Sequence, residues 1–368
     1  MIYLDEAATT PVKREVLEAM WPFLSADFGN PSSHHEVGES ASRALEQARA
    51  DVASALGARA SEITFTSGGT ESDNAAIKGI AVAAPRGRHV IVSAVEHPAV
   101  LESAAFLGRL GYDITILAVD RDAMVQPATL EAALRDDTTL VSVQHANNEV
   151  GTIQQIETLA RIAADRGVPF HTDAVQTAGW LDLDVGRLGV QAMSISGHKL
   201  GAPKGIGVLY VNRRVPLEPL IHGGGQEGGR RSGTENVGAA VGMATALRLA
   251  GGSNDQVVAM RDAFIDRVLT DVPAAVLTGH RGHRLPGSAS FVFAGTSGES
   301  ILLDLERRGI VSSSGSACAA GSDEPSHVLT AMGYPAEIAQ TAVRFTFGRA
   351  TTAEQLDAVA DELASLHA

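Results

Sequence analysis

Residues 169–199 read PFHTDAVQTAGWLDLDVGRLGVQAMSISGHK, and the fold is decided in this stretch. Two short strand-type runs, Pro169–Thr172 and Ala192–Ser196, each stop at chemically active side chains. Asp173 and Gln176 follow the first; Gly197, His198 and Lys199 follow the second. Strands ending on such residues are characteristic of open α/β sheets, whose ligands sit beyond the carboxyl ends of the strands.

Further strand-type runs lie at Ile63–Thr66, His89–Ser93, Ile114–Val119, Leu140–Val143 and Gly207–Val211. Several are apolar throughout, as expected of strands covered on both faces. Helical patterns lie between them: Glu36–Leu56 stops at Gly57, and Ile153–Arg166 stops before Gly167, both glycine C-cap signals. This alternation predicts an α/β fold with a mostly parallel, seven-stranded sheet. Beyond Gly251-Gly252-Ser253 the pattern shortens. A helix at Asp255–Leu269, a strand at Ala289–Phe293 and a helix at Glu299–Arg308 are followed by strands at Ile310–Ser313 and Val343–Phe347. With a last helix at Ala353–Leu366, this reads as a smaller α+β unit.

The chain has 368 residues, 45% of them hydrophobic and 20% charged, an ordinary soluble composition. Its net charge of −14 and lack of a basic stripe argue against nucleic acid as a partner. Its apolar runs fall short of the roughly 20 residues a membrane span needs. The opening MIYLDEAATTP shows no signal-peptide pattern, so a cytoplasmic location is expected. Cys318 is the single cysteine, which excludes an intrachain disulfide and cysteine-cluster metal sites. Lysine chemistry must come from Lys13, Lys78, Lys199 or Lys204.

Four features carry candidate chemistry. Lys199, just past a buried strand, is placed for partial desolvation, which lowers an amine's pKa and suits it to Schiff-base formation. Asp173 ends its strand either as a helix N-cap or as the partner of a protonated ring nitrogen, the pairing that keeps pyridoxal 5'-phosphate (PLP) electron-withdrawing. Thr66-Ser67-Gly68-Gly69-Thr70-Glu71-Ser72 joins a strand to a helix. Its glycines and the following N–H groups suit a single compact phosphate, and it lacks the spacing of nucleotide-binding loops. Cys318 lies in SSSGSACAAGS, residues 312–322, a composition that reads as an exposed loop and favours a reactive thiol over a buried one.

These features and the stretches around them resemble the NifS/IscS-like cysteine desulfurases of the class V aminotransferase group. The likeness spans almost the whole chain. It runs through Tyr3-Leu4-Asp5, Ala8-Thr9-Thr10-Pro11, Phe28–Ser33, Phe65–Asn74, Glu96–Val100 and Asn147–Gly151. It continues through Ser196–Lys199, Arg231–Asn236, Ser313–Cys318, Glu324–Val328 and Val343-Arg344-Phe345. Glu6 and Gly69 depart from the residues usual at their places.

The resemblance implies a PLP-dependent transferase of fold type I. Its large PLP-binding domain would span 11–250, and a small α+β domain, 1–10 with 251–368, would carry the cysteine loop. Lys199 would hold PLP and later act on the Cα proton. Asp173 would bind the ring nitrogen, Gln176 the phenolic oxygen, and His97 would stack on the ring and take part in proton transfer. Gly69, Thr70, Ser196 and His198 would hold the phosphate, joined by Thr234 from the other subunit of a homodimer. Asn148 and Arg344 would engage L-cysteine, Arg344 through the carboxylate. The implied products are L-alanine and a persulfide on Cys318, passed to an acceptor protein for iron–sulfur cluster assembly or thio-modification. No resident metal is implied, although Cys318 could transiently ligate an iron–sulfur cluster. The alternative within the fold is a selenocysteine lyase or a small-amino-acid aminotransferase, but a transaminase has no need of the thiol.

Overall fold

The computed structural model describes residues 1–83, 86–314 and 324–367. Its strands are β1 (Ile2–Tyr3), β2 (Ile63–Thr66), β3 (His89–Ser93), β4 (Asp113–Leu117), β5 (Thr138–Ser142) and β6 (Phe170–Asp173). They continue with β7 (Ala192–Ser196), β8 (Gly207–Val211), β9 (Ala275–Leu277), β10 (Ser288–Phe293), β11 (Ile310–Val311) and β12 (Val343–Thr346). A seven-stranded sheet has the order β2-β8-β7-β6-β5-β3-β4. It is parallel except at β8, which runs antiparallel to both β2 and β7. This is the mostly parallel α/β sheet that the alternating pattern predicts.

Burial follows position in the sheet. Strands β2, β3 and β5–β8 are buried at every residue, whereas the edge strand β4 keeps Asp113 and Ile116 exposed. A second core surrounds the three-stranded antiparallel sheet β12-β10-β9. There Phe264 packs edge-on against Phe345, centroids 5.5 Å apart, and Phe291, Phe293 and Phe347 complete an aromatic cluster. Burying each such ring is worth about 1.5–3 kcal/mol.

Several bounds differ from the sequence reading. The helix expected from Ile153 begins at Ile156, because Ile153 is bridged to Ala146 and Thr152 to Arg284. The strand expected through Ser313 stops at Val311, where its partner β1 ends; Ser313 bridges to Arg344 instead. The helices Arg14–Ser25 and Val237–Leu249, which pack on one another, and the three-residue strand β9 were not read from the sequence. Arg14–Ser25 contains Pro22, a residue that argues against a helix interior, and Val237–Leu249 is small and apolar with little polar face, so it shows no clear amphipathic period.

The N-terminal segment ties the two sheets together. Thr346 N donates to Leu4 O at 2.8 Å, and Ala7 N donates to Thr346 Oγ1 at 2.9 Å. Farther along, Thr10 N and Oγ1 both donate to His198 O at 2.9 Å. Among the described residues, no helix is long and apolar enough to cross a membrane.

Candidate active site

Beyond the carboxyl ends of β6 and β7 lies a cavity of about 440 Å³. Ten residues singled out in the sequence line it: Gly69, Thr70, His97, Asn148, Asp173, Gln176, Ser196, His198, Lys199 and Arg344. Of the remaining two, one falls within the described residues and one does not. Thr234 is exposed and absent from the lining, and Cys318 lies outside the described residues.

Lys199 closes a 3₁₀ turn, Gly197–Lys199, that leaves β7 directly. The turn is too tight for a side chain at Gly197, where a Cβ would lie 2.7 Å from Ile206 Cγ2. The Lys199 ammonium donates to Ala8 O at 2.8 Å and also to Ala7 O. No other lysine lines the cavity: Lys204 is exposed on the turn before β8, Lys78 bonds Asn74, and Lys13 packs against Gly201.

Asp173 ends β6 fully within the fold, and both readings of it apply. Its Oδ1 accepts from Val175 N at 2.8 Å, a local cap, while the side chain lines the cavity. Burial pushes this carboxyl up, opposed by His97, the Val175 N–H and Lys199. A cationic ligand atom there would supply the counter-charge that burial withholds. Gln176 Nε2 donates to Ala7 O at 3.1 Å, so the N-terminal segment crosses the cavity between Gln176 and Lys199.

His97 is likewise both cap and cavity residue. It precedes the helix Pro98–Arg109, and its Nδ1 accepts from Ala99 N at 3.1 Å. That bond fixes the ring and leaves the proton on Nε2 when the imidazole is neutral. Burial lowers its pKa, Lys199 and His327 add to the lowering, and Asp173 opposes it.

Gly69 opens the 15-residue helix Gly69–Ala83. A Cβ on it would lie 2.7 Å from Val175 Cγ2, so a larger residue here would require that valine to shift. Thr70, Ser196 and His198 line the same cavity. His198 is neutral at ordinary pH: burial, then Lys199 and Lys204, hold its pKa down to about 4. An anion here therefore draws on hydroxyls, the unpaired N–H groups of the helix start and the helix dipole rather than on an imidazolium.

Arg344 enters from β12 and is 2% exposed. Its Nη2 donates to Asp5 Oδ1 at 2.7 Å and its Nη1 to Asn148 O at 2.8 Å. Asn147 builds the turn that presents Asn148, accepting from Glu149 N at 2.9 Å and Val150 N at 2.8 Å.

The structure adds lining residues to which the sequence reading gave no role: Ala7, Ala8, Asp73, Gln144, Ala146 and Val175. For Asp73 a signal was present, since it stands three residues after Thr70 and thus on the same helix face. The carbonyl role of Ala7 and Ala8 leaves no side-chain trace in a sequence.

With cationic, anionic and phosphate-type groups in one cavity, the residues present suit PLP, and comparison with known proteins agrees. The Aminotransferase class-V model matches residues 2–359. Cysteine desulfurase IscS of Dictyoglomus turgidum is 50% identical over 367 residues, covering 98% of this chain and 93% of the relative. Cysteine desulfurase NifS of Azotobacter vinelandii is 46% identical over 98% of this chain and 91% of its own length. Among solved structures, a NifS-like protein superimposes with a TM-score of 0.91 at 36% identity, covering 99% of this chain and 98% of that one. The structure described as SspA in complex with cysteine gives 0.84 at 37% identity, covering 94% of this chain and 99% of that one. The chain belongs to the class-V aminotransferase family, a PLP-dependent family, and its relatives there are the cysteine desulfurases of the NifS and IscS kind.

Proposed function

We propose that this protein is a PLP-dependent cysteine desulfurase, converting L-cysteine to L-alanine and leaving the sulfur as a persulfide on Cys318. The observation that carries the reading is that Lys199, Asp173, His97 and Arg344 line a single cavity. PLP, when bound, supplies an electron sink for the electrons released at the substrate Cα.

The chain's own groups do the rest. Lys199 holds the cofactor and afterwards takes the Cα proton at Nζ. Asp173 keeps the ring nitrogen protonated, Gln176 binds the phenolic oxygen, and His97, its Nδ1 held by Ala99, stacks on the ring and shuttles protons through Nε2. Gly69, Thr70, Ser196 and His198 hold the phosphate. Arg344 takes the substrate carboxylate with a bidentate fork, and Asn148 borders it. The Cys318 thiolate attacks the substrate sulfur. As the S–S bond forms, the Cβ–S bond breaks and its electron pair stays on the carbon skeleton, which is protonated and leaves as alanine.

The exposure of Thr234, away from its own chain's cavity, supports a homodimer in which it reaches the neighbour's phosphate. In this reading the large unit, 11–250, carries the cofactor groups, and 1–10 with 251–368 carries the thiol and Arg344. The persulfide then passes to an acceptor protein, in iron–sulfur cluster assembly or thio-modification.

The test is to supply PLP and L-cysteine, quantify alanine and persulfide, and map the lysine trapped by borohydride. Equal alanine and persulfide, with the label on Lys199, are expected. A label on Lys13, Lys78 or Lys204, or cysteine consumed without alanine, overturns the reading.

A further inference from the structure

The cavity wall built by β6, β7 and the helix Gly69–Ala83 contains more acid than the proposed chemistry uses. Asp73 is 1% exposed and lines the cavity together with Asp173. Its Oδ1 is buried and has no hydrogen-bond partner among the described residues. His171 stands beside it, but Nε2 is 3.7 Å from that oxygen, beyond hydrogen-bond reach.

The His171 ring is already engaged. Nδ1 bonds Ser142 Oγ at 2.8 Å and Nε2 bonds Ser194 Oγ at 2.9 Å. Burial holds its pKa down to about 3, so it is neutral and brings Asp73 no counter-charge. The favourable influence on Asp73 is that of the Ser194 hydroxyl, on the residue directly across from Asp173 in the β6–β7 register.

The other titratable groups around this wall do not neutralise Asp73 either. Lys199 donates to the carbonyls of Ala7 and Ala8, and His97 is held by Ala99 N. Glu96 is itself a fully buried acid whose Oε1 accepts from Ser93 Oγ and Gln144 N, with Oε2 unpartnered among the described residues. Carboxyls crowded into a desolvated wall cannot all ionise; one takes the charge and its neighbours keep their protons. Asp173 is the better placed of the pair, with the Val175 N–H on Oδ1 and attraction from His97 and Lys199. Asp73 has a serine hydroxyl, and burial together with Asp173 drives its pKa up.

We propose, on the reading that Asp173 meets a cationic ring nitrogen, that Asp73 is a positioning residue. It stands beside Asp173 as a neutral carboxylic acid, so that the wall offers the ring one negative charge and Asp173 alone carries it. An ionised Asp73 would compete for the ring proton and push Asp173 out of its capped position.

Infrared spectroscopy of the PLP-loaded full chain at neutral pH tests this directly. The wild-type-minus-Asp73→Asn difference spectrum should show the C=O stretch of a protonated carboxyl; Asp73→Ser serves the same subtraction if the amide variant fails to fold. Carboxylate bands in its place overturn the inference and leave the desulfurase reading untouched. The visible band of bound PLP and its dissociation constant give a second readout. Asp73→Asn, a neutral isostere, should restore what Asp73→Ala loses, whereas Asp173→Asn should weaken PLP binding about ten- to a hundred-fold, as loss of a charge-assisted bond does. Equal weakening by Asp73→Asn and Asp173→Asn overturns the inference alone. An Asp173→Asn protein that binds PLP like the wild type overturns the ring-nitrogen reading, and the inference with it.

Discussion

Asp173 and Arg344 line the same cavity from different sheets, and they stand in opposite electrostatic conditions. Asp173, at the end of β6, shares its wall with the buried acids Asp73 and Glu96, and His97, the Val175 N–H and Lys199 offset only part of the burial that pushes its carboxyl up. Arg344, on β12, already holds a carboxylate at 2.7 Å in Asp5 and a carbonyl at 2.8 Å in Asn148. The acid side is therefore tuned by what binds, and the guanidinium side is oriented before anything binds. The difference suits an amino-acid enzyme, in which the cofactor stays and the substrate comes and goes. A pre-oriented fork loses less freedom on each capture.

Arg344→Lys is the harshest way to break the comparison from the cationic side. Lysine keeps the charge and loses the fork, so KM for L-cysteine should rise about ten- to a hundred-fold, with PLP affinity unchanged. A KM equal to that of the wild type would mean that the guanidinium does not hold the substrate carboxylate. Asp5→Asn tests the pre-orientation itself. It keeps a hydrogen-bond acceptor for Arg344 but removes the charge, and should raise KM by about two- to tenfold. An effect as large as that of Arg344→Lys would show that Asp5 does more than orient.

The acid side is probed by pH. Burial pushes the Glu96 carboxyl up to about 8 from an ordinary 4.5. The folded state then binds this proton more tightly than the unfolded chain, so stability from this group is full below about pH 4.5 and is lost as pH rises towards 8. Glu96→Gln removes the slope. The melting temperature of the variant minus that of the wild type should climb by several degrees between about pH 5 and pH 8. A difference that stays flat would place the Glu96 proton elsewhere.

The sheet and the cavity wall were legible in the sequence because several of the buried strands are apolar throughout, and Asp173, Ser196 and Lys199 stand at or just past the ends of two strands. Arg344 was legible as a residue, but its partner was not. Asp5 lies 339 positions away and meets it only because the N-terminal segment runs beside β12. His97 is at once a helix cap, through Nδ1, and a cavity residue, a combination that only the fold reveals. Asp73 carried a helix-face signal but no sign of its protonation, which depends on what surrounds it in three dimensions. Ala7 and Ala8 act through backbone carbonyls, which side-chain chemistry cannot announce.

The central claim is that the cofactor wall activates L-cysteine while a separate thiol takes the sulfur. Single-turnover measurement of alanine from L-cysteine by the Cys318→Ala protein, with the visible band of bound PLP followed in parallel, tests it most directly. PLP should remain bound and its band should shift on adding L-cysteine, while alanine formation falls by orders of magnitude and no persulfide forms. Alanine released at the wild-type rate would contradict the account and leave a lyase that needs no thiol.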